Sequence, residues 1–296
     1  EALGCCREEN TAKIRNSWMA RNTNFDAATV TKDQLNDLRE KRWLPSCRSL
    51  FHIEDDDDAY TADSNESFLL VCNTWFEKVI HMHTMEQQRH YHTVHHLLEM
   101  FGYLDLLRQM DNDDCHEDIS VTDRKVVNAR LEMATFFHDA VYNPSSGTNE
   151  EDSAELYKCF VADVWSIGKQ IEAVDMNKEH DAVVDYILAT KQHRVSPSAD
   201  AHLRMFLDVD MSVLGKQCDS YDAYAGMIRQ EYIHVDRTLY CIKRAEILTD
   251  FLAADNIFNF EPINEAYEVQ ARDNLGREIA MLQEGIIPCE PDIGIQ

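Results

Sequence analysis

The sequence is poor in the residues that interrupt helices. Its 296 residues include 9 glycines and 6 prolines, which leaves few positions for tight turns. No alternation of apolar and polar residues is long enough to predict a sheet, whereas apolar residues recur with the helical period through most of the chain. The sequence therefore predicts an all-α fold, and its 44% hydrophobic content is sufficient for a large core.

Long apolar runs and basic clusters are also absent. No apolar run approaches the ~20 residues that a membrane-spanning helix needs, so the sequence excludes the membrane as a location. The net charge of -26, without a run of Lys or Arg, excludes long DNA or RNA as a partner. A small phosphate ester stays compatible with this charge, because bound cations can reverse the sign of the local field.

The nine cysteines show no metal-binding spacing. Their number is odd, no C-x-x-C pair occurs, and zinc-ribbon spacing is missing. This usage favours a reducing compartment, and the cytoplasm is the expected location. Because the chain begins at Glu1 rather than Met, a targeting segment upstream of it stays an open alternative.

No internal repeat is visible and no linker rich in Gly, Ser or Pro divides the chain, so the sequence predicts one domain with a flexible N-terminal arm at 1–38. The bounds of this domain, 39–285, and the tail at 286–296 follow from the extent of the motifs given below. The predicted helices are 31–42, 66–84, 91–110, 121–141, 150–165, 178–192, 199–214, 220–234, 237–254 and 263–283. The acidic run from Glu54 to Asp58 predicts a flexible loop, since it lacks the Gly and terminal Glu of a calcium-binding EF-hand. The helices between Tyr221 and Leu252 have apolar faces that either close the core or pair two subunits.

A His-Asp pair, His138-Asp139, ends the apolar run that begins at Met133. A buried charge needs a partner, and a divalent cation satisfies a His and a carboxylate side by side in apolar surroundings. We expect Asn143-Pro144 to end this helix and Thr148 with Glu151 to form a capping box for the next one.

A second His-Asp pair, His180-Asp181, lies in a polar stretch. It predicts a solvated turn or helix start without a role in chemistry.

His92 and His96 are four residues apart, so a helix would present both on one face. A single helical His is more often structural than a ligand. Two on one face, together with His138-Asp139 and a later Asp, indicate a ligand set.

Several short motifs follow one another between about residues 39 and 285. They are Arg89-x-Tyr91-His92-x-x-x-His96, Phe137-His138-Asp139-x-Val141-Tyr142, Asn149-Glu150-x-x-Ser153-Ala154, Thr190-Lys191-x-His193, Phe206-Leu207-Asp208-x-Asp210-x-Ser212-x-Leu214-Gly215, Ile228-Arg229-x-Glu231-Tyr232 and Ala271-Arg272-x-Asn274-Leu275. In these motifs the chain resembles the HD superfamily of metal-dependent phosphohydrolases, and within it a branch of little assigned biology. The resemblance implies a helical HD-type bundle around a divalent ion.

The resemblance also implies which residues bind the ion. His96 would be the first ligand, His138 and Asp139 the central pair, and Asp210 or Asp208 the last. Positions two apart diverge on a helix, so Asp210 is favoured as the ligand, and Asp208 suits a capping or structural role.

Further roles are implied around this set. His193 would bind a second metal. His92 either orients a ligand, binds the second metal, contacts substrate or packs in the core. Glu150 either orients the attacking water or a ligand, or is favoured in the first helical turn by the helix dipole alone. The expected phosphate anchors are Arg89, Lys191, Arg229 and Arg272.

The expected function is therefore hydrolysis of a small phosphate ester: a nucleotide, a cyclic nucleotide or another phosphomonoester. One or two divalent ions, among Mn, Mg, Fe, Co and Zn, would activate water, with Asp139 relaying a proton. Two alternatives stay open: an HD-fold di-iron oxygenase, and a non-catalytic protein that binds a metal or a nucleotide.

Overall fold

A computed structural model gives the fold of residues 30–53, 62–86, 88–113, 121–167, 176–196 and 198–290. Helices joined by turns and short loops make up these residues, with no strand among them, which confirms the predicted all-α class. Within the same ranges, no helix has both the length and the hydropathy that a membrane crossing requires. The acidic run at 54–58, most of the N-terminal arm and the last six residues lie outside the described part.

The described residues form two compact units, whereas the sequence indicates one domain. The N-terminal unit comprises described residues within 30–102 and 121–194, and the C-terminal unit comprises 103–113 and described residues within 195–290. The first contains α1 (Lys32–Leu38), α2 (Leu44–Leu50), α3 (Ala62–Met85), the start of α4 (Val94–Asp113), α5 (Val121–Phe137), α6 (Asn149–Trp165) and α7 (Met176–Ala189). The second contains the rest of α4, α8 (Ala201–Asp210), α9 (Cys218–Glu231), α10 (Arg237–Leu252) and α11 (Glu261–Gln283).

The first predicted helix begins where its sequence signal lies. The Thr31 side chain accepts a hydrogen bond from the Gln34 backbone N–H, and the Gln34 side chain accepts one from the Thr31 N–H, which is a capping box. Beyond α1 the chain continues through a π-helical turn, Arg39–Trp43, into α2. Helix α2 lies outside the predicted helices, and it contains Pro45 in its first turn. Proline is tolerated in the first turn, where the backbone N–H groups need no helical acceptor.

The boundary between α5 and α6 differs from its prediction. Helix α5 ends at Phe137, so the end predicted at Asn143-Pro144 is wrong. The predicted capping box is also wrong, because the Thr148 side chain makes no bond to the helix backbone and instead donates to Asp152 Oδ2 at 2.9 Å. His138 and Asp139 consequently lie in the turn just beyond α5.

Trp43 forms the centre of the core of the N-terminal unit. Its side chain is fully buried, and four phenylalanine rings from α3, α5 and α6 have their centroids between 5.1 and 5.8 Å from it: Phe76, Phe136, Phe137 and Phe160. Such aromatic contacts add to the stabilisation that burial provides. They fix the C-terminal end of α5, where the His-Asp pair follows.

A buried carboxylate fixes the same helix at its middle. Glu132 of α5 accepts hydrogen bonds from Ser46 Oγ at 2.6 Å and from Arg42 Nη1 at 3.0 Å. The guanidinium of Arg42 also lies over the ring of Phe101, 5.3 Å from its centroid. A buried charge held by two donors costs little desolvation energy, so this pairing sets the position of α5 against the segment from α1 to α2.

His180 is buried, so the prediction of a solvated turn or helix start is wrong about its exposure. It lies within α7 on the same face as Val183 and Ile187, while the adjacent Asp181 is exposed. Its Nδ1 lies 2.7 Å from Tyr157 Oη, and its ring lies 4.8 Å from the ring of Phe51. Lys178, two residues before it, is also exposed, so the polar residues next to His180 in the sequence do not show the buried environment of His180 itself.

The environment of His180 makes the stability of the protein depend on pH. Burial, and next the charge of His52, lower the pKa of His180 to about 4. Above about pH 6.5 neither state binds the proton, whereas between pH 6.5 and 4 the unfolded chain binds it and the folded chain does not. We expect the free energy of unfolding to fall by about 3 kcal/mol across this interval from His180 alone.

Urea unfolding of the wild type and of His180→Phe at several pH values measures this loss. The variant is expected to lose less stability on acidification than the wild type. The same loss in both proteins would contradict the assignment to His180.

The C-terminal unit is held by polar side chains of α11. Asn274 donates from Nδ2 to the carbonyl oxygens of Leu214 and Lys216, at 2.9 and 2.7 Å. The fully buried Glu278 accepts from Tyr221 Oη and, at 3.0 Å, from Arg244 Nε. These bonds fasten α11 to the 3-10 turn after α8 and to α9 and α10.

Breaking the pair of Glu278 and Arg244 is expected to destabilise the protein strongly. In Glu278→Leu the Arg244 guanidinium loses its buried counter-charge, which should cost about 3–5 kcal/mol. The double variant Glu278→Leu/Arg244→Met removes both charges and should recover most of that loss. Urea unfolding of the three proteins tests this, and a double variant no more stable than the single one would contradict it.

The apolar faces between Tyr221 and Leu252 belong partly to the core. Tyr221 and Leu248 are buried, whereas Ile242 and Ile247 are each 51% exposed. Homo-oligomerisation through the exposed side chains stays a prediction.

Candidate metal centre

His138 presents one ring nitrogen with a lone pair. Its backbone N–H donates to the Ala134 carbonyl at 2.9 Å, which holds the turn that carries His138 against the end of α5. Its Nδ1 lies 2.9 Å from the carbonyl oxygen of Thr135. Because a carbonyl oxygen only accepts, Nδ1 carries the proton, and in the neutral imidazole Nε2 then carries the lone pair and can bind a metal.

Two further ligand-type atoms face this lone pair. His96 Nε2 lies 3.3 Å from His138 Nε2, and Asp139 Oδ2 lies 3.0 Å from the same nitrogen. His96 and His138 are both buried. A carboxylate oxygen and an imidazole lone pair repel each other at this distance unless a proton or a cation lies between them.

These separations fit a divalent ion. Two ligand atoms that each lie about 2.1 Å from one ion, in tetrahedral or octahedral geometry, are about 3.0–3.4 Å apart. Imidazole nitrogen with carboxylate oxygen is a donor set that Zn, Mn, Fe and Co accept. The sequence predicted that His96, His138 and Asp139 act in one set. In the structure His96 Nε2 and Asp139 Oδ2 each lie near His138 Nε2, and binding of one ion by all three side chains stays a prediction.

His92 also lies near Asp139, but on a loop and not on the predicted helix. Helix α4 begins at Val94, so His92 lies in the preceding loop rather than on a helical face shared with His96. Its Nε2 lies 4.0 Å from Asp139 Oδ2, and its ring packs on that of Tyr142 with centroids 4.4 Å apart. The side chain of His92 is 20% exposed and that of Asp139 is 18% exposed, so these two form the open side of the cluster.

Arg89, predicted to anchor phosphate, is buried and donates to main-chain carbonyls. Nη1 donates to the oxygens of His92 and Asp139 at 3.1 and 2.7 Å, and Nη2 donates to that of Ala140 at 2.9 Å. Its Nε donates to Glu86 Oε2 at 2.6 Å. These contacts describe a guanidinium that holds backbone segments, and phosphate binding by it stays a prediction.

His83 of α3 lies near the centre and was not among the residues predicted from the sequence. Its Nδ1 lies 3.0 Å from the Val79 carbonyl oxygen, so that nitrogen carries the proton, and no hydrogen-bond partner for Nε2 is found in the described part of the chain. Burial, and next the positive charge of Arg89, lower its pKa to about 3, while Asp139 acts in the opposite direction. His83 is therefore a neutral imidazole within range of the cluster's charges. His83 belongs to no sequence motif. The only signal that could have indicated it is its position among the buried residues of α3.

The two aspartates predicted as the last ligand lie on α8 in the C-terminal unit. Asp208 is fully buried, and its Oδ2 accepts from the backbone N–H of Phe260 at 2.5 Å. Burial raises the pKa of Asp208 to about 8 against this hydrogen bond. The sequence favoured a capping or structural role for Asp208 over a ligand role, and its hydrogen bond from Phe260 is a contact of that kind. Asp210 is the last residue of α8 and is half-buried.

The other predicted anchors contact protein groups. Lys191 donates to the Gly147 carbonyl at 2.7 Å and to Glu151 at 2.5 Å, and this pairing lowers the pKa of the Glu151 carboxyl and raises that of Lys191. Arg229 donates to the carbonyls of Tyr232 and Val235 at 2.9 and 3.1 Å. Their predicted contact with phosphate stays a prediction.

Arg272 donates to the carbonyls of Leu252, Ala254 and Asp255 at 2.9–3.1 Å and to Glu268 at 2.7 Å. Like the preceding two residues, it has protein acceptors for its N–H groups.

Two predicted residues keep their open roles. Glu150 lies in the first turn of α6, beside Glu151 and Asp152, where the helix dipole favours carboxylates. His193 follows the end of α7 with a positive φ of 50°, and its backbone N–H donates to the Ala189 carbonyl at 3.1 Å. Binding of a second metal by His193 stays a prediction.

Searches against protein-family models, curated proteins and solved structures found no match to this chain.

Proposed function

We propose that the chain is a metal-dependent phosphohydrolase of the HD type that acts on a small phosphate ester. The observation that carries the proposal is the contact of His138 Nε2 with His96 Nε2 at 3.3 Å and with Asp139 Oδ2 at 3.0 Å. The resemblance of the sequence motifs to HD phosphohydrolases points to the same donors. Asp210, at the end of α8 in the C-terminal unit, is the predicted last ligand.

A divalent ion held by these side chains would lower the pKa of a coordinated water and neutralise charge on a phosphoryl oxygen. His96 and His138 are enclosed and suit binding alone. Asp139 and His92 retain solvent access, so they are the side chains that can meet a substrate. Asp139 can accept a proton at the carboxylate oxygen that does not bind an ion, and His92 can donate one to a leaving oxygen from its ring.

The charge of the chain restricts the substrate class. At -26 the protein repels polyanions such as DNA and RNA. A compact phosphate ester is compatible, because the ion itself supplies positive charge at the site. Nucleotides, cyclic nucleotides and other phosphomonoesters are the proposed substrates, and the cytoplasm is the proposed location, in keeping with the free thiols of the described cysteines.

The position of Asp139 favours two ions over one. Its Oδ2 lies between two imidazoles, 3.0 Å from His138 Nε2 and 4.0 Å from His92 Nε2, which suits a carboxylate shared by two ions. A two-ion site is common to phosphohydrolases and to di-iron oxygenases. The alternative proposal is therefore a di-iron oxygenase.

Phosphate release separates the proposals. The protein would be stripped with a chelator, reloaded with Mn, Mg, Co, Zn or Fe(II), and incubated with p-nitrophenyl phosphate, nucleoside monophosphates and cyclic nucleotides. Release that requires a metal and disappears in His138→Ala supports the hydrolase. Oxygen consumption with about two irons per chain supports the oxygenase, and metal binding without turnover in any assay supports a binding protein.

A further inference from the structure

Arg89 joins the two backbone segments that carry the open side of the metal centre. The loop before α4 carries His92, and the turn after α5 carries Asp139. One Arg89 nitrogen, Nη1, donates to the carbonyl oxygens of both residues, at 3.1 and 2.7 Å. Nη2 adds a bond to the Ala140 carbonyl at 2.9 Å, so a single guanidinium fixes both segments.

The ring of Tyr142 completes this arrangement. The guanidinium of Arg89 lies 5.2 Å from the centroid of Tyr142, and the Tyr142 ring in turn packs against His92 at 4.4 Å. Gln88, adjacent to Arg89, donates to the Tyr142 carbonyl at 3.1 Å. The His92 imidazole is thereby held through its own backbone and through its ring.

The charge and the burial of Arg89 make these bonds strong. Its side chain is 1% exposed, and Glu86 accepts from Nε at 2.6 Å, which supplies the counter-charge. Hydrogen bonds from a charged donor are about twice as strong as neutral ones. A lysine has a single nitrogen and no planar arrangement of N–H groups. It therefore cannot reproduce the bonds that the three nitrogens of Arg89 make to four acceptors.

We infer that Arg89 is a positioning residue for the metal centre and not a phosphate anchor. It sets the 4.0 Å separation between His92 Nε2 and Asp139 Oδ2 by holding the carbonyl groups of both residues. The inference rests on the proposed metal centre. Groups that orient ligands commonly contribute 10–100-fold to metal affinity.

Arg272 provides a matched control in the C-terminal unit. It too donates to three main-chain carbonyls and to one glutamate four residues earlier in its helix. Arg272→Lys therefore removes the same kind of bonding. None of the residues that accept hydrogen bonds from Arg272 is a predicted metal ligand. Metal affinity, unlike stability, separates a positioning role from a purely structural one.

The experiment is a Co(II) titration of the chelator-stripped full chain, followed by visible absorption, for the wild type, Arg89→Lys and Arg272→Lys. We expect Arg89→Lys to lower the Co(II) affinity about 10–100-fold and to change the absorption bands of the bound ion. Without phosphate in the buffer, the predicted contact of Arg272 with phosphate does not enter, so Arg272→Lys should retain the Co(II) affinity and the bands of the wild type, whatever it does to stability. Far-UV circular dichroism would report that each variant is folded.

The outcomes separate this inference from the proposed function. If Arg89→Lys has the Co(II) affinity and absorption bands of the wild type, Arg89 has no positioning role, and the proposed metal centre is unaffected. A wild type that binds no Co(II) overturns the metal centre and the positioning role with it. An equal loss of Co(II) affinity in Arg272→Lys also overturns the inference. The effect would then follow from the loss of any arginine that binds main-chain carbonyls, wherever it lies.

A second variant covers the case in which Arg89→Lys does not fold. Glu86→Gln removes the counter-charge of Arg89 at a side chain that is 32% exposed. We expect a smaller loss of Co(II) affinity in the same direction. An unchanged affinity in folded Glu86→Gln would then overturn the positioning role.

Discussion

His138→Ala is expected to lose more than about 100-fold in affinity for a divalent cation, together with any phosphate release that depends on the cation. The variant removes the ring nitrogen that adjoins both His96 Nε2 and Asp139 Oδ2. Removal of a direct ligand should exceed the 10–100-fold loss that is typical for a group that only orients one. Calorimetric titration with Mn(II) of the chelator-stripped wild type and variant measures the difference.

His95 supplies the control for this experiment. It precedes His96 on α4, about 100° away around the helix, and it is half-buried. His95→Ala removes an imidazole from the same segment and should bind Mn(II) as the wild type does. The assignment of His138 as a ligand is wrong if His138→Ala also keeps that affinity.

Trp43→Ala is expected to lower the free energy of unfolding by about 3–5 kcal/mol, the range for a large aromatic residue removed from a core. The indole is fully buried among four phenylalanine rings. Its Nε1 also donates to the Cys72 carbonyl at 2.8 Å, and that buried acceptor would lose its donor. Urea unfolding followed by far-UV circular dichroism measures the change without using the tryptophan as the probe.

Leu70→Ala tests whether the cost comes from burial. Leu70 lies on α3 and is 66% exposed, so its truncation should change stability by no more than about 0.5 kcal/mol. A comparable loss in both variants would contradict Trp43 as the centre of the core.

The helices could be predicted because their apolar positions recur with the helical period over long segments. The ends of the helices could not always be predicted. Helix α5 is an example, because the turn after Phe137 depends on residues distant in the sequence. Arg89 binds the Asp139 and Ala140 carbonyls, and Ser153 Oγ accepts from the Val141 N–H at 3.0 Å. No local pattern around His138 reveals partners 12 to 51 residues away.

The candidate site was predicted where its residues have local signals. The His-Asp pair after an apolar run pointed to His138 and Asp139. The four-residue spacing to His92 pointed to His96, although His92 lies before the helix that carries His96. His83 escaped notice because a lone His on a helix carries no pattern. Arg89 was predicted to bind phosphate because a sequence shows the charge of an arginine and not its acceptors, which in this fold are main-chain carbonyls.

Elemental analysis of the full chain, purified without a chelator, tests the central claim most directly. The metal centre proposed around His138 predicts one or two equivalents of a transition metal or magnesium per chain, retained through dialysis and lost in His138→Ala. A wild type that holds no specific metal, even after incubation with each of Mn, Mg, Fe, Co and Zn in turn, would contradict the metal centre and the hydrolase and oxygenase proposals that depend on it.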